Sequence, residues 1–339
     1  MPYIKVKTTS GLVNFHYTIS TPTCTSAQAI NPSLPTIIFL HPVYIPQAIF
    51  QPQFSDPKLR RFNLIAIDSR CHGETTGSVP STFRRLEAAE DLLKFMEALR
   101  LPPCHLFGMS MGACIALQAA VSHPQRILSC CMVSPLPLVE PVDVAEGRQE
   151  IYDCYVAAFK DPEALDEVAI LDSVCGAVQL GFSGQDSKLI AALVKHALPQ
   201  VLKQWTPDRF DEVHTVAVKF FCDRHPHPRS SLEKVVSPIR LIHCGGDIAY
   251  PFNYAEELQQ ALEDAGVDVE LSQVAEAPHF GSVTHSIEIN AILHDFVLEQ
   301  TKSPIPPAQP EVTSPFESAL VEAGWRQDDD SSDEDEDFI

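Results

Sequence analysis

The chain has 339 residues, which is enough for one large domain carrying an insertion or for two domains. Hydrophobic residues make up 45% of it, so most of the chain can bury a sizeable core. Acids outnumber bases 45 to 24 and no basic face stands out, which argues against nucleic acid as a partner. No apolar run reaches the ~18 residues that a transmembrane helix requires, so we expect no membrane span.

The first residues and the cysteines indicate in which cellular compartment the protein is expected. The first ten residues include two lysines and no apolar segment, so we expect no secretory signal. The ten cysteines are scattered, and none shows the CxxC spacing typical of zinc sites. Most lie within apolar runs such as residues 128–133, which favours small core side chains over disulfides or metal ligands. These features predict a cytoplasmic protein.

Continuous apolar runs predict the strands of a sheet. A two-stranded ribbon comes first, in which residues 3–7 alternate, Ser10-Gly11 turns, and residues 12–19 run back. Later runs rich in β-branched residues indicate strands that are buried on both faces. They cover residues 36–40, 64–67, 104–107, 127–133, 239–242 and 267–274.

Helical patterns fill the stretches between these strands. The first covers residues 82–101, with Ser81 as its N-cap and two prolines after it as its stop. Others cover residues 113–123, 254–265 and 286–299. Buried strands that alternate with helices predict an α/β protein with a doubly wound, mostly parallel sheet.

The alternation stops between residues 138 and 238, where only helical patterns occur. They cover residues 150–159, 162–180 and 188–205. An insertion of this kind is either a cap over one edge of the sheet or an ordinary peripheral subdomain. We therefore divide the core into a first part, residues 1–137, and a second part, residues 239–302, with the helical insertion 138–238 between them.

The C-terminal part differs in composition from the rest. Residues 303–310 are proline-rich, which is typical of a linker, and the final block 327–339 is strongly acidic. Such a block cannot bury enough surface to fold alone, so we expect residues 303–339 to be a disordered linker and tail. The alternatives are a short helix at 316–325 that docks on the core or on a partner, and a basic partner for the acidic block. Deleting 303–339 should leave activity unchanged.

The segment Gly108-Met109-Ser110-Met111-Gly112 lies between a predicted buried strand and a predicted helix. G-x-S-x-G in this strand–turn–helix context predicts a nucleophile elbow. Gly108 and Gly112 leave room for a turn so tight that side chains would collide with neighbouring backbone. The turn would hold Ser110 in a strained conformation with its hydroxyl above the sheet. A plain strand-to-helix turn is the alternative.

A serine hydroxyl becomes a good nucleophile only when a base takes its proton and an acid orients that base. On a sheet of this kind the partners are expected in the order serine, acid, histidine, each on a loop after a strand. Asp247 follows the strand 239–242 and a Gly-Gly turn. His279 lies on the loop before the last helix, where it can swing over Ser110. His285 is the competing histidine, but it stands at the start of that helix.

The negative charge that develops on a carbonyl oxygen requires two backbone N–H groups, which form an oxyanion hole. The residue after the nucleophile, Met111, provides the first. The second is expected from the loop after the first buried strand, Leu40-His41-Pro42-Val43. We assign it to Val43.

Taken together, these motifs resemble the α/β-hydrolase fold superfamily, in its capped serine esterase and lactonase type. The similarity covers about residues 3 to 300 and rests on Leu40-His41-Pro42, residues 68–73, Gly108 to Gly112, Gly246-Asp247 with Pro251, and Pro278-His279. It implies that Asp247 is the triad acid. The family usually has His-Gly where this chain has His41-Pro42. Since the family's oxyanion donor is the following residue, Val43 can still serve.

The predicted activity is hydrolysis of a carboxylic ester or lactone, a small-molecule substrate, through an acyl-enzyme on Ser110. This chemistry requires no metal and no organic cofactor. Aliphatic residues in 168–180 and 189–202 favour a medium-sized apolar substrate. The same three side chains can also serve a C–C bond hydrolase or an acyltransferase. The alternative from another class is a non-catalytic ligand-binding or scaffold protein on this fold.

Overall fold

The computed structural model describes residues 2–161 and 163–326, so the acidic block 327–339 lies outside the described residues. The described residues form the strands β1 (Tyr3–Thr8), β2 (Gly11–Ser20), β3 (Thr36–Leu40), β4 (Asn63–Ile67), β5 (Cys104–Met109), β6 (Ile127–Val133), β7 (Ile239–Cys244) and β8 (Val269–Val274). They make one sheet in the order β1-β2-β4-β3-β5-β6-β7-β8. β2 pairs antiparallel with β1 and β4, and all later neighbours are parallel. The predicted doubly wound, mostly parallel α/β sheet is confirmed.

The α-helices of the described residues are α1 (Gln51–Phe54), α2 (Arg85–Ala98), α3 (Met111–Ser122), α4 (Val142–Ala157), α5 (Glu167–Phe182), α6 (Lys188–Gln204), α7 (Phe210–His214), α8 (Phe220–Cys222), α9 (Arg229–Leu232), α10 (Phe252–Asp264), α11 (Gly281–Thr284), α12 (Ser286–Glu299) and α13 (Glu317–Glu322). Short 3-10 turns cover Gln47–Phe50, Leu59–Arg61, Pro124–Arg126 and Pro207–Arg209, and a π-helical turn covers Thr215–Lys219. None of the helices in residues 2–161 and 163–326 is both long and apolar enough to cross a membrane.

Two local predictions were wrong. The helix predicted from residue 82 begins at Arg85, because the Glu87 carboxylate accepts a hydrogen bond from the Arg84 amide at 2.9 Å and fixes the start there. Ser81 is therefore not the N-cap. The last strand, β8, is not buried on both faces, and only Val274 within it is buried. β8 is the edge of the sheet, so solvent reaches the strand.

The central strands form the core. Every residue of β3, β4 and β5 is buried, as expected where helices cover both faces of a parallel sheet. The ring of Phe39 on β3 packs against Phe54 and Phe107 with centroid distances of 5.3 and 5.2 Å. Burying one such side chain contributes about 1.5–3 kcal/mol to stability.

The parallel register brings the carboxyl ends of the strands to one edge of the sheet. Leu40 at the end of β3 pairs with Gly108 of β5, and Cys244 at the end of β7 pairs with Val274 of β8. The residues that follow these strands therefore meet at this edge. Ligands of open α/β sheets bind at such an edge.

The helices between β6 and β7 pack onto loops at this same edge. The indole Nε1 of Trp205 donates to the Cys71 carbonyl at 2.7 Å, on the loop after β4. The amide of Phe280, after β8, donates to the Gly181 carbonyl of α5 at 2.7 Å. Parts of the helical insertion therefore contact loops at the carboxyl end of the sheet.

Within residues 303–326 the structure has the alternative to disorder, a short helix near 316–325 that docks on the core. Phe316, Leu320 and Trp325 are buried, α13 packs against α6, and the Phe316 ring lies edge-on to Phe54 with centroids 5.1 Å apart. Burial of these three apolar side chains stabilises the docked segment. Deleting residues 303–339 is therefore expected to lower the stability of the fold, and the unchanged activity of such a deletion stays a prediction.

All ten cysteines lie within the described residues and are free thiols. Six of them are buried, and burial raises the pKa of Cys104 and Cys131 to about 12. Cys24 and Cys175 are exposed, unlike the core side chains that their sequence context predicts.

Candidate active site

The turn between β5 and α3 holds Ser110 in a strained conformation. Its φ is 55° and its ψ is −110°, a combination that a non-glycine residue rarely adopts. A Cβ atom at Gly108 would overlap the backbone of Gly112, and one at Gly112 would overlap the Leu40 carbonyl. Both positions therefore require glycine for the close approach of α3 to the sheet.

The three side chains singled out in the sequence form one hydrogen-bonded chain. Ser110 Oγ lies 2.8 Å from His279 Nε2, and His279 Nδ1 lies 2.5 Å from Asp247 Oδ2. All three residues lie on loops that follow strands of the sheet, Ser110 after β5, Asp247 after β7 and His279 after β8. Ser110 and His279 are buried. We call this chain of three residues the hydroxyl relay.

Backbone and ring contacts fix the far end of the hydroxyl relay. The second oxygen of Asp247 accepts hydrogen bonds from the amides of Ala249 and Tyr250 at 2.9 and 3.1 Å. The hydroxyl of Ser134 donates to the His279 carbonyl at 2.5 Å. The Tyr250 ring packs on the His279 ring with centroids 5.1 Å apart. Each contact restricts the imidazole, so it is oriented before any substrate binds.

Sequence reasoning did not find Ser134 or Tyr250. Ser134 has a positive φ of 47° and follows β6 directly at the carboxyl edge. Its position after a buried strand was the signal that could have identified it. Tyr250 lies within the motif from Asp247 to Pro251, and its place beside the predicted acid is the signal that could have identified it.

The two predicted oxyanion donors lie on separate loops. Met111 is the first residue of α3, so its amide has no partner within the helix. Val43 is fully buried, and its amide donates no hydrogen bond to another group of the described residues. His41 braces the Val43 loop, because its Nε2 accepts from the Ser69 amide at 2.9 Å. Its Nδ1 therefore carries the proton and donates to the Pro42 carbonyl at 2.6 Å.

Asp68 connects the loops after β3 and β4. One carboxylate oxygen accepts from the Gln47 amide at 3.0 Å, and the other lies 2.6 Å from His16 Nδ1. Burial alone raises the pKa of Asp68, but the hydrogen bond and the charge of His16 outweigh it and hold the pKa below its usual value. Gly73 has a φ of 54° and faces the Asp68 carboxylate so closely that a Cβ would overlap it.

The competing histidine stands apart from the hydroxyl relay. His285 Nδ1 lies 2.9 Å from the Thr284 hydroxyl at the start of α12. No hydrogen bond within the described residues joins it to Ser110 or Asp247. Within residues 2–161 and 163–326, no group of three His, Cys, Asp or Glu side chains is placed to hold a metal ion.

An apolar cavity of about 60 Å³ lies between α4, α5, α6 and the loop after β3. Tyr44, Tyr155, Trp205 and Phe280 line it together with aliphatic side chains of α5 and α6. Tyr44 follows Val43, and Phe280 follows His279. The Phe280 ring that lines the cavity packs on the His279 ring with centroids 5.4 Å apart, so the cavity borders the hydroxyl relay through Phe280 and can accept an apolar group.

Comparison with curated proteins gives a partial match. Ethanol acetyltransferase 2 of Hanseniaspora uvarum is 33% identical over 106 residues, which cover 31% of this chain and 30% of that protein. The match to each of the first curated relatives spans about a third of that relative's length.

Solved structures share the fold at low identity. An esterase from Thermogutta terrifontis gives a TM-score of 0.67 at 13% identity, covering 88% of this chain and 99% of that one. An enol-lactonase from Burkholderia xenovorans LB400 gives a TM-score of 0.65 at 16% identity, with 88% of this chain and 100% of that chain covered. Residues 40–282, well over half of the chain, match the family model of the alpha/beta hydrolase fold. The chain therefore belongs to the α/β-hydrolase fold family.

Proposed function

We propose that the protein is a serine hydrolase that cleaves a carboxylic ester or a lactone. The observation that carries this proposal is the unbroken hydroxyl relay, 2.8 Å from Ser110 to His279 and 2.5 Å from His279 to Asp247. These distances suit proton transfer from the serine to the imidazole, and the carboxylate is placed to stabilise the imidazolium that forms. The names of the structural neighbours, an esterase and an enol-lactonase, agree with this reaction class.

The mechanism has two halves. In the first, Ser110 Oγ attacks the substrate carbonyl carbon while His279 takes the hydroxyl proton. The amides of Met111 and Val43 stabilise the tetrahedral oxyanion. His279 then gives its proton to the leaving alcohol, and the acyl group stays on Ser110. In the second half, His279 takes a proton from water, the hydroxide attacks the acyl-enzyme, and Ser110 regains its proton as the acid leaves.

The helical insertion 138–238 is proposed to be a cap, so that the core consists of residues 1–137 and 239–302. Its contacts at Cys71 and Phe280 support this role, since both residues lie on loops at the carboxyl edge of the sheet. The apolar cavity under α4, α5 and α6 supports a substrate with a medium-sized apolar group.

Hydrolysis of p-nitrophenyl butyrate by serine variants tests the proposal. Ser110→Ala should lower kcat by about 10⁴-fold or more, because it removes the nucleophile. Ser122→Ala, at the other end of the same helix α3, is the matched control and should retain wild-type activity. An active Ser110→Ala protein, with both variants folded, would refute the role of Ser110.

Acyl transfer to an alcohol is a second candidate, favoured by the partial similarity to ethanol acetyltransferase 2 of Hanseniaspora uvarum. The products formed from p-nitrophenyl butyrate in the presence of ethanol decide between the two reactions. A hydrolase yields mainly butyrate, whereas an acyltransferase yields mainly ethyl butyrate.

A further inference from the structure

A second buried polar cluster lies beside the hydroxyl relay. Arg148 Nε donates to Glu140 Oε1 at 2.7 Å, and Arg224 Nη2 donates to Glu140 Oε2 at 2.8 Å. The Tyr250 hydroxyl accepts from Arg148 Nη2 at 2.8 Å and donates to Glu140 Oε1 at 2.8 Å. We call these four residues the arginine cluster. All of them are buried, and the Tyr250 ring that contacts His279 links the cluster to the relay.

The arginine cluster carries one positive charge in excess. Both guanidinium groups stay charged, whereas burial raises the pKa of Tyr250 and keeps it neutral. Among the ion pairs of the described residues, Glu140 is the one carboxylate that meets either arginine. Within the described residues Asp247 forms no ion pair with either arginine and is bonded instead to His279 and two backbone amides. A buried charge without a counter-charge is costly, and the Phe221 ring, whose centroid lies 3.7 Å from the guanidinium carbon of Arg148, offsets this cost only in part, so an anion would complete the cluster.

Two polar atoms in this region have no partner. Arg148 Nη1 and the Tyr44 hydroxyl are both buried without a hydrogen bond. Since Nε and Nη2 of Arg148 are engaged, Nη1 is its free edge. Burial raises the pKa of the Tyr44 hydroxyl, while the charge of Arg148 and the approach of its guanidinium group to the hydroxyl oxygen partly oppose this shift, so the two groups face each other. Both atoms can donate a hydrogen bond to the same acceptor.

Tyr44 connects the free edge of Arg148 to the apolar cavity, which Arg148 itself does not line. Tyr44 directly follows Val43 and lines the apolar cavity. Its φ of 75° is a conformation that a non-glycine residue keeps only where its surroundings hold it. Tyr44 therefore extends from the proposed oxyanion loop to the arginine cluster.

We propose that Arg148 Nη1 and the Tyr44 hydroxyl form a subsite for a carboxylate carried by the substrate, remote from the bond that is cleaved. The inference rests on the proposed function and refines its substrate class to an apolar group that bears a carboxylate. A carboxylate accepts from both donors, and its single negative charge matches the excess positive charge. A dianionic phosphate would overcompensate that charge.

Paired esters test the subsite. The mono-p-nitrophenyl esters of succinate, glutarate and adipate are compared with neutral p-nitrophenyl esters of the same chain length. The wild-type protein should favour at least one acidic ester over its neutral partner by about ten-fold or more in kcat/KM. Tyr44→Phe should remove most of this preference, mainly through KM. Tyr152→Phe, on α4 with its hydroxyl bonded to the Phe210 carbonyl, should retain it.

Calorimetric titration of the wild-type protein with free succinate, glutarate and adipate separates the two proposals. Binding that Tyr44→Phe weakens and Arg148→Gln abolishes would support the subsite even if no ester is cleaved. Tyr44→Phe keeps the test valid if Arg148→Gln fails to fold. Cleavage of neutral esters without any preference for acidic ones, together with no binding of the dicarboxylates, would overturn the subsite and leave the proposed function intact.

Discussion

The hydroxyl relay and the arginine cluster are neighbours that share Tyr250, yet they differ in how their charges are balanced. In the relay, the Asp247 carboxylate is met by an imidazole and two amides. In the cluster, two guanidinium groups share Glu140, and one guanidinium nitrogen has no partner. The relay is hydrogen-bonded along its whole length, as the proposed proton transfer from Ser110 requires. The arginine cluster instead keeps one guanidinium nitrogen for the proposed anion.

The two sets also come from different parts of the chain. The hydroxyl relay comes from loops that directly follow strands of the sheet. Glu140, Arg148 and Arg224 come from the helical insertion, and Tyr44 and Tyr250 from the loops after β3 and β7. In the proposed function, loops of the sheet provide the residues that cleave the bond, and the helical insertion contributes to binding of the substrate.

The largest expected effect concerns the hydroxyl relay. His279→Ala should lower kcat/KM for p-nitrophenyl butyrate by about 10⁴-fold or more, because the base that activates Ser110 is lost. His285→Ala is the matched control and should stay near the wild-type rate. Equal losses in the two variants would mean that the 2.8 Å contact with Ser110 does not determine which histidine is the base.

The next effect concerns the arginine cluster. Glu140→Gln should lower the free energy of unfolding by about 3–5 kcal/mol, because it leaves two buried guanidinium groups without a counter-charge. Urea denaturation measures this loss. Glu233→Gln, which breaks the exposed pair with Arg229, should change stability by about 0.5 kcal/mol or less. A similarly small loss of stability in Glu140→Gln would contradict the claim that Glu140 is the counter-charge of two buried guanidinium groups.

The pH dependence of the stability lost in Glu140→Gln tests the charge pairing of Glu140 with Arg148 and Arg224. Burial alone raises the pKa of Glu140, but the charges of Arg148 and Arg224 outweigh it and hold the folded-state pKa below the ordinary 4.5. Its contribution to stability is therefore full above the unfolded-state pKa and is lost as pH falls through the folded-state pKa.

The difference in unfolding free energy between wild type and Glu140→Gln should accordingly stay constant from neutral pH down to about pH 5 and shrink below it. Urea denaturation at several pH values measures this difference. A difference that grows on acidification would reverse the assigned direction of the pKa shift.

The residues of the hydroxyl relay could be nominated from the sequence, because each of them follows a strand that is recognisable as an apolar run. Gly108 and Gly112 add a steric requirement that is local to five residues. The arginine cluster could not be found in this way. Glu140 and Tyr250 are 110 positions apart, and their contact depends on how the insertion packs on the sheet.

In the C-terminal part, composition alone gives a wrong expectation of disorder for residues 316–325. Proline-rich and acidic stretches predict disorder over residues 303–339, but Phe316, Leu320 and Trp325 each find an apolar site on the folded chain. Whether an isolated apolar side chain docks is decided by the surface available to it. The spacing of these side chains allows a docking helix at 316–325, but it does not show which apolar site that helix occupies.

The most direct test of the central claim is the site of covalent labelling by a fluorophosphonate. The full-length protein is treated with the probe, digested, and analysed by mass spectrometry. We predict one phosphonyl adduct, located on Ser110 and lost in Ser110→Ala. An adduct on another residue, or none on a folded protein, would contradict the claim that Ser110 is the activated nucleophile.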